Sequence, residues 1–150
     1  MAHKRKYLAD DGPVILPISE VKQLSFIVSS TKFCADVSAF LSTLDRKDFF
    51  GDEIGQLARA STSITANLYE GLGRGNDSLY FLNHARMASG SVYECVFWLK
   101  VTGAPPKLVE ACEILCDEIK DVVDRERSAY PLRKDMANRE KKRQRKSPQP

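Results

Sequence analysis

The stretch SITANLYEGLGRGND, residues 63–77, combines the end of one helical pattern with three glycines. Ile64 and Leu68 are spaced as on one face of a helix. A phosphate-binding glycine loop would need a preceding strand and a Gly-Lys-Ser/Thr ending, and the sequence has neither here. Gly71 therefore predicts the end of a helix in a left-handed backbone conformation, and the next two glycines predict a flexible connector to a following helix.

Apolar residues recur at intervals of three and four through most of the chain, which is the spacing of amphipathic helices. The pattern predicts four helices: residues 19–44, a second from Asp48 or Asp52 to Gly71, a third from Asp77 or Ser78, and a fourth after the sequence GAPP. A proline suits the first turn of the fourth helix. Similar lengths and short connections predict an all-α protein, an antiparallel up-down four-helix bundle.

The charged residues divide the chain into three parts. Residues 1–16 carry a net charge of +1 and are expected to be flexible, residues 17–130 carry −4 and form the bundle, and residues 131–150 carry +6. The last part lacks apolar periodicity, so we expect a disordered basic tail, or a helix formed only on binding. Its candidate phosphate-binding residues are Arg133, Lys134, Arg139, Lys141, Lys142, Arg143, Arg145 and Lys146. The alternative is a solvated tail that only keeps the protein soluble.

The third predicted helix carries apolar side chains on two sides. Its outer side holds Tyr80, Met87, Ser91 and Trp98, which fall on one helical face. An isolated bundle would expose this stripe to water, and contiguous exposed apolar surface usually marks an interface. We therefore expect these residues to form contacts between subunits of a homo-oligomer.

Three polar residues are candidates for structural or interface roles. Asn67 and Glu70 precede the predicted helix end and can bond backbone groups of the connector or a neighbouring helix, and Glu70 and Glu94 can be buried between helices or subunits. A catalytic carboxylate pair is the alternative, but bundle metal sites add a Glu-x-x-His motif that the chain lacks. The two histidines are His3 and His84, and His84 is expected to be packed or interfacial. We therefore expect no enzyme, no metal and no cofactor.

The four cysteines fall within helical patterns and form no Cys-x-x-Cys pair: Cys34, Cys95, Cys112 and Cys116. Reduced thiols in the core are the prediction, and a metal site is the alternative, although no zinc-type spacing supports it. No apolar run approaches the ~18 residues of a membrane span, and no segment resembles a signal peptide. We expect a cytoplasmic protein without a membrane partner.

Residues 56–94, QLARASTSITANLYEGLGRGNDSLYFLNHARMASGSVYE, resemble the signature of a bacterial four-helix-bundle family, the 23S ribosomal RNA intervening-sequence proteins. The chain departs from that signature at Ala58, where the family often has Arg, and at Thr65, where Pro is common. The matching positions include Gln56, Leu57, Ser63, Ile64, Ala66, Asn67, Glu70, Gly71, Gly73, Arg74, Phe81, Leu82, Ala85, Gly90, Ser91 and Glu94.

The resemblance implies a four-helix bundle, often a cyclic pentamer, with no known catalytic chemistry. It also implies a relationship to the accessory variability proteins of diversity-generating retroelements, which are basic pentameric bundles that bind nucleic acid and a reverse transcriptase. We therefore expect a homo-oligomer, with a pentamer favoured, that binds nucleic acid, above all RNA, and has a reverse transcriptase as a candidate partner. The alternative is a protein–protein scaffold or a ribosome-associated bundle with no direct nucleic-acid role.

Overall fold

The computed structural model describes residues 18–74 and 78–144. All regular structure in these two ranges is helical, which confirms the predicted all-α class. None of the described helices combines the length and the apolar character needed to span a bilayer. The predictions for residues 1–16, Gly75, Asp77, Arg145 and Lys146 lie outside the described ranges. The elements are α1 (Ile18–Val21), α2 (Ser25–Leu41), a 3-10 helix (Arg46–Asp48), α3 (Glu53–Gly73), α4 (Ser78–Val101) and α5 (Pro106–Gln144).

The helix predicted over residues 19–44 is divided in the structure. The backbone of Leu24 is extended, with φ −67° and ψ 130°, so a new helix begins at Ser25. At the other end, the hydroxyls of Ser42 and Thr43 each donate to a main-chain carbonyl of the last turn at 2.7 Å. Hydroxyl groups placed in this way compete with the helical hydrogen bonds, and α2 ends before the predicted boundary.

Asp52 stands immediately before α3, as one of the two predicted starts requires, but its side chain makes no capping hydrogen bond. The carboxylate instead accepts a hydrogen bond from Arg59 Nη2 at 2.7 Å. The Arg59 guanidinium lowers the pKa of Asp52. Because this ion pair is exposed to solvent, its contribution to stability is small. The negative charge of Asp52 also stabilises α3, because it lies beside the positive end of the helix dipole.

The four long helices share one apolar core. Helix α2 packs on α3 and α5, and α4 also packs on α3 and α5. The rings of Phe26 on α2 and Phe81 on α4 lie 6.2 Å apart. Burying one large apolar side chain is worth about 1.5–3 kcal/mol, so the core stabilises the position of all four helices. Its fully buried members include Ile27, Val37, Leu57, Ile64, Leu68, Val92, Leu99, Leu115 and Ile119.

The left-handed residue that ends a helix lies between α4 and α5. In the described ranges only Gly103 has a positive φ, 68°. The amides of Gly103 and Ala104 bond carbonyls in the last turn of α4 at 3.3 and 2.9 Å, the pattern of a Schellman motif. Helix α5 then begins at Pro106, which confirms the predicted proline start. The prediction of this conformation at Gly71 is wrong, because Gly71 lies inside α3.

Helix α5 continues well past the core. It has 39 residues, a length of about 58 Å, whereas α4 has 24. Among its described side chains the last fully buried one is Ile119, and the half-buried Val122 and Val123 follow. The structure thus differs from the disordered tail expected after residue 130, since the helical backbone continues to Gln144. The Lys, Arg, Glu, Met and Ala residues of this segment are strong helix formers, and Pro131 does not end the helix.

The four thiols are free. Cys95 on α4 and Cys112 on α5 are completely buried, and the Cys112 thiol donates to the Val92 carbonyl at an Sγ–O distance of 3.7 Å. The neighbouring Cys112 thiol and burial raise the pKa of Cys95 far above its usual range. Cys34 and Cys116 are half-buried. Within the described ranges, no group of three or more His, Cys, Asp and Glu side chains is arranged to hold a metal ion.

The burial of the thiols predicts an order of reactivity. Because the thiolate is the reactive form, Cys95 and Cys112 should resist alkylation in the folded protein, whereas Cys34 and Cys116 should be labelled first. The measurement is peptide mass spectrometry after a pulse of alkylating reagent, with the protein unfolded in guanidinium as the control. Labelling of Cys95 at the same rate in the folded and unfolded protein would contradict the buried α4–α5 contact.

Candidate functional site

The end of α3 and the start of α4 approach each other closely at Gly71. A Cβ atom at this position would lie 2.9 Å from the Cβ of His84 and 3.3 Å from Cδ2 of Phe81. The first of these distances is shorter than a normal carbon–carbon contact, so a larger residue would push α4 away from α3. The glycine that the sequence suggested as a helix end therefore sets the distance between two helices.

Four polar side chains lie beside this contact. Asn67 Nδ2 donates to the Ser63 carbonyl at 2.9 Å, which leaves Asn67 Oδ1 facing His84 Nδ1 at 3.3 Å. Since an amide oxygen only accepts, the proton in this second bond belongs to His84 Nδ1. Glu70 Oε1 accepts from Arg74 Nε at 3.0 Å, and Glu70 Oε2 lies 3.9 Å from His84 Nδ1. The cluster thus connects α3 to α4 through side chains.

The structure gives Glu70 and Glu94 separate surroundings. The Glu70 carboxylate contacts the side chains of Arg74 and His84, and it is 46% exposed, so this chain alone does not bury it. Glu94 is also exposed and accepts a hydrogen bond from Trp98 Nε1 at 3.3 Å. The two carboxylates are therefore not brought together as a pair, and both instead orient neighbouring side chains.

The solvent side of α4 carries many large apolar side chains, interleaved with the exposed polar residues Asn83, Arg86, Glu94 and Lys100. Six large hydrophobic side chains on it are between 45% and 70% exposed. Gly90 lies among them, with open space where a Cβ atom would stand. We define the α4 outer face by these six residues together with the half-buried Ser91 and Trp98: Leu79, Tyr80, Met87, Ser91, Tyr93, Phe97, Trp98 and Val101.

The aromatic end of the α4 outer face has a defined geometry. The rings of Phe97 and Trp98 meet edge to face at an interplanar angle of 72°, with centroids 4.8 Å apart, a favourable arrangement for an aromatic pair. The Trp98 indole also donates a hydrogen bond to the Glu94 carboxylate, which lies one turn away on the same face. Two adjacent rings and a bonded acid thus form a partly ordered patch.

The sequence identified only part of the α4 outer face. A narrow stripe of residues was assigned to the outer side of the helix, whereas α4 buries only the sector that packs on α3 and α5. The exposed sector of α4 is therefore wide. Counting residues over a wider sector of the helix around the predicted stripe would have found the other exposed apolar residues. The residues that the structure adds are Leu79, Tyr93, Phe97 and Val101.

Six of the eight predicted phosphate-binding residues lie on the extension of α5. This extension begins after Val123, the last described side chain that packs on the core. Their binding role remains a prediction, since the structure shows only that a helical backbone carries them. The six residues within the described backbone are Arg133, Lys134, Arg139, Lys141, Lys142 and Arg143.

A comparison with known protein families places the chain in one of them. The model of the family described as 23S rRNA-intervening sequence protein matches residues 22–121, and the chain belongs to this family. The matched range contains all of α3 and α4 and ends before the basic part of α5. Comparisons with curated proteins and with solved structures gave no match.

Two glycines of α3 provide a matched test of the α3–α4 contact. Gly71→Ala places a methyl group 2.9 Å from the His84 Cβ, and overpacking of this kind costs about 1–3 kcal/mol. Gly73→Ala meets open space, so the free energy of unfolding should stay the same or rise by up to about 1 kcal/mol. Chemical denaturation measures both variants, and equal stabilities would contradict the close approach.

Proposed function

We propose that this protein is a non-enzymatic, homo-oligomeric bundle that binds nucleic acid, RNA above all. The observation that carries the proposal is the division of α5 into a part that builds the core and a basic extension that lies beyond it. The name of the family connects its members with an intervening sequence of 23S rRNA, which supports an RNA-related role. A cytoplasmic location suits a protein with these partners.

We propose an antiparallel up-down arrangement of α2, α3, α4 and α5. Their packing order supports it, because each helix contacts the one before or after it in sequence and α2 contacts α5. The contact between Phe26 and Phe81, both near the starts of their helices, fits α2 and α4 running in the same direction. The short turn at Gly103 fits an antiparallel α4–α5 pair.

The α4 outer face is our proposed contact between subunits. A surface of this length and apolar character favours burial against another protein, and Gly90 leaves room for a close approach. A closed ring gives every subunit the same two contacts and leaves no face unpaired. Five subunits are the number that we favour, following the family resemblance.

A charge on this face should prevent assembly. Met87 is 57% exposed on α4 and Val28 is 51% exposed on α2. Val28→Glu is therefore the matched control for Met87→Glu, because it adds the same charge at a similar exposure on another helix. Met87→Glu should weaken assembly at least tenfold, a cost of about 1.4 kcal/mol, because burying an unpaired charge is unfavourable. Sedimentation at micromolar concentration measures the mass, and a wild-type monomer would contradict the proposed oligomer.

The basic extension is our proposed nucleic-acid contact. Residues 131–150 contain eight Lys or Arg and two acidic residues, and each cation that neutralises a phosphate releases a counterion. The segment after Tyr130 has no aromatic side chain to stack on bases, so binding should depend on charge more than on sequence. Several extensions on one oligomer would bind one strand together and gain avidity.

Deletion of residues 131–150 should remove salt-dependent binding and leave the helices folded, because the described core residues all precede this segment. If about five phosphates are neutralised, the logarithm of affinity should fall with the logarithm of salt with a slope of about −3.5 to −4.5. Filter binding of labelled RNA at several salt concentrations measures the slope, and circular dichroism checks the fold.

A full-length variant separates the effect of charge from the effect of helix length. Replacing Arg139, Lys141, Lys142 and Arg143 by Gln keeps the length of the chain and removes four positive charges. Its affinity for RNA should fall toward that of the deletion. Equal RNA affinity of the wild-type and truncated proteins would place the binding surface on the bundle instead.

A reverse transcriptase of a diversity-generating retroelement is the protein partner that we propose, by resemblance to the accessory proteins of such elements. The genes beside this one distinguish the alternatives: a reverse transcriptase gene with a template repeat supports this partner, and a position inside a ribosomal RNA gene opposes it. A protein–protein scaffold is the second candidate function. The α4 outer face favours it, and failure of both the full-length and truncated chains to bind RNA at low salt would select it.

A further inference from the structure

Helix α5 changes the sign of its charge along its length. Residues 106–128 contain seven acidic and four basic side chains, whereas residues 129–144 contain six basic and two acidic ones. The acidic half includes a row of exposed carboxylates at intervals of three and four residues, which fall within a sector of about 80° on one side of the helix. We call this row the α5 acidic face: Glu110, Glu113, Asp117, Asp121 and Asp124.

The carboxylates of the α5 acidic face have no basic partner in the part of the chain that the structure describes. The ion pairs there join Lys32 to Asp36 and Arg59 to Asp52, and Glu70 to its two neighbours in the α3–α4 cluster. The adjacent Arg125 donates to the main-chain carbonyl of Asp121 at 3.0 Å instead of binding a carboxylate. Like charges one turn apart repel each other, so this face favours a cationic partner.

The chain contains a segment of complementary charge. The α5 acidic face spans residues 110–124, about 20 Å of helix, and the basic residues of the described part of the same helix span residues 133–143, about 15 Å. The two segments cannot meet within one subunit, because a continuous helix joins them through residue 128 and beyond. They can meet only between two copies of the chain.

We propose that two copies pair through antiparallel α5 helices, with the acidic face of each copy against the basic extension of the other. A twofold axis between residues 128 and 129 turns the same side of both helices toward each other. On that side the extension carries Arg139 and Lys142, which fall in the same angular sector as the acidic face. The axis places Arg139 next to the level of Asp117, and Lys142 between the levels of Glu113 and Asp117. The pairing is symmetric, so each opposite-charge contact occurs twice, as an isologous interface requires.

This interface is separate from the α4 outer face, but it uses basic residues that we also propose as the nucleic-acid contact, so nucleic acid should compete with the pairing. The contact between α5 helices is ionic and exposed, so salt should weaken it, whereas salt leaves an apolar contact largely intact. If the chain also forms a ring through α4, paired α5 helices join two rings face to face. Low salt then doubles the mass of whatever assembly remains at high salt.

The test is a charge exchange on the full-length protein, followed by mass photometry or sedimentation without nucleic acid. The first variant carries Glu113→Lys and Asp117→Lys, and the second carries Arg139→Glu and Lys142→Glu. At about 0.05 M salt the wild type should have twice its mass at about 1 M salt. Each variant alone should keep the high-salt mass, because every copy then presents like charges to its partner.

An equimolar mixture of the two variants should recover the doubled mass, because every reversed position then faces a reversed position. The control variant carries Glu20→Lys and Asp48→Lys, two exposed acids on other elements. The control variant should pair like the wild type when it is alone. Adding it to the first variant should not make copies of the first variant pair with each other. A wild-type mass that is the same at both salt concentrations, or a mixture that does not pair, overturns the proposal.

Discussion

The close packing of α3 against α4 at Gly71 is the constraint on which the other features depend. His84 and Phe81 occupy the space next to this glycine, so α4 lies near α3 in one rotational setting. The hydrogen bond between Asn67 and His84 selects the same setting from the polar side. With α4 held in this way, Val92 and Leu99 face the core and the α4 outer face points to solvent.

Helix α4 satisfies two requirements that usually oppose each other. One side supplies fully buried residues to a core shared with α3 and α5, and the opposite side exposes tyrosine, phenylalanine, methionine and leucine. A helix that is apolar on both sides is normally buried on both sides. The single chain covers only one, and this imbalance is the physical reason to expect another protein chain on α4.

Helix α5 separates folding from recognition along one element. Its first turns are held by the core, and Cys112, Leu115 and Ile119 leave little freedom there. Beyond Val123 no described side chain packs on the core, so the charge of the extension can change with little effect on the fold. The core therefore holds α5 in place, and the acidic face and the basic extension of the same helix remain available for binding.

The sequence by itself determined the helical class, the start of α5 at Pro106 and the burial of Cys95 and Cys112, because apolar spacing and proline geometry are local properties. It also indicated Tyr80 and Met87 as outward residues.

The role of Gly71 was decided only by the tertiary structure, since a glycine inside a helix and a glycine at its end look alike until the neighbouring helix is placed. The width of the α4 outer face was decided in the same way, because the packing of α3 and α5 determines which sector remains exposed. The bonds of Glu70 and Glu94 depended on side chains one turn away and on the adjacent helix, and helical spacing alone does not select among such partners.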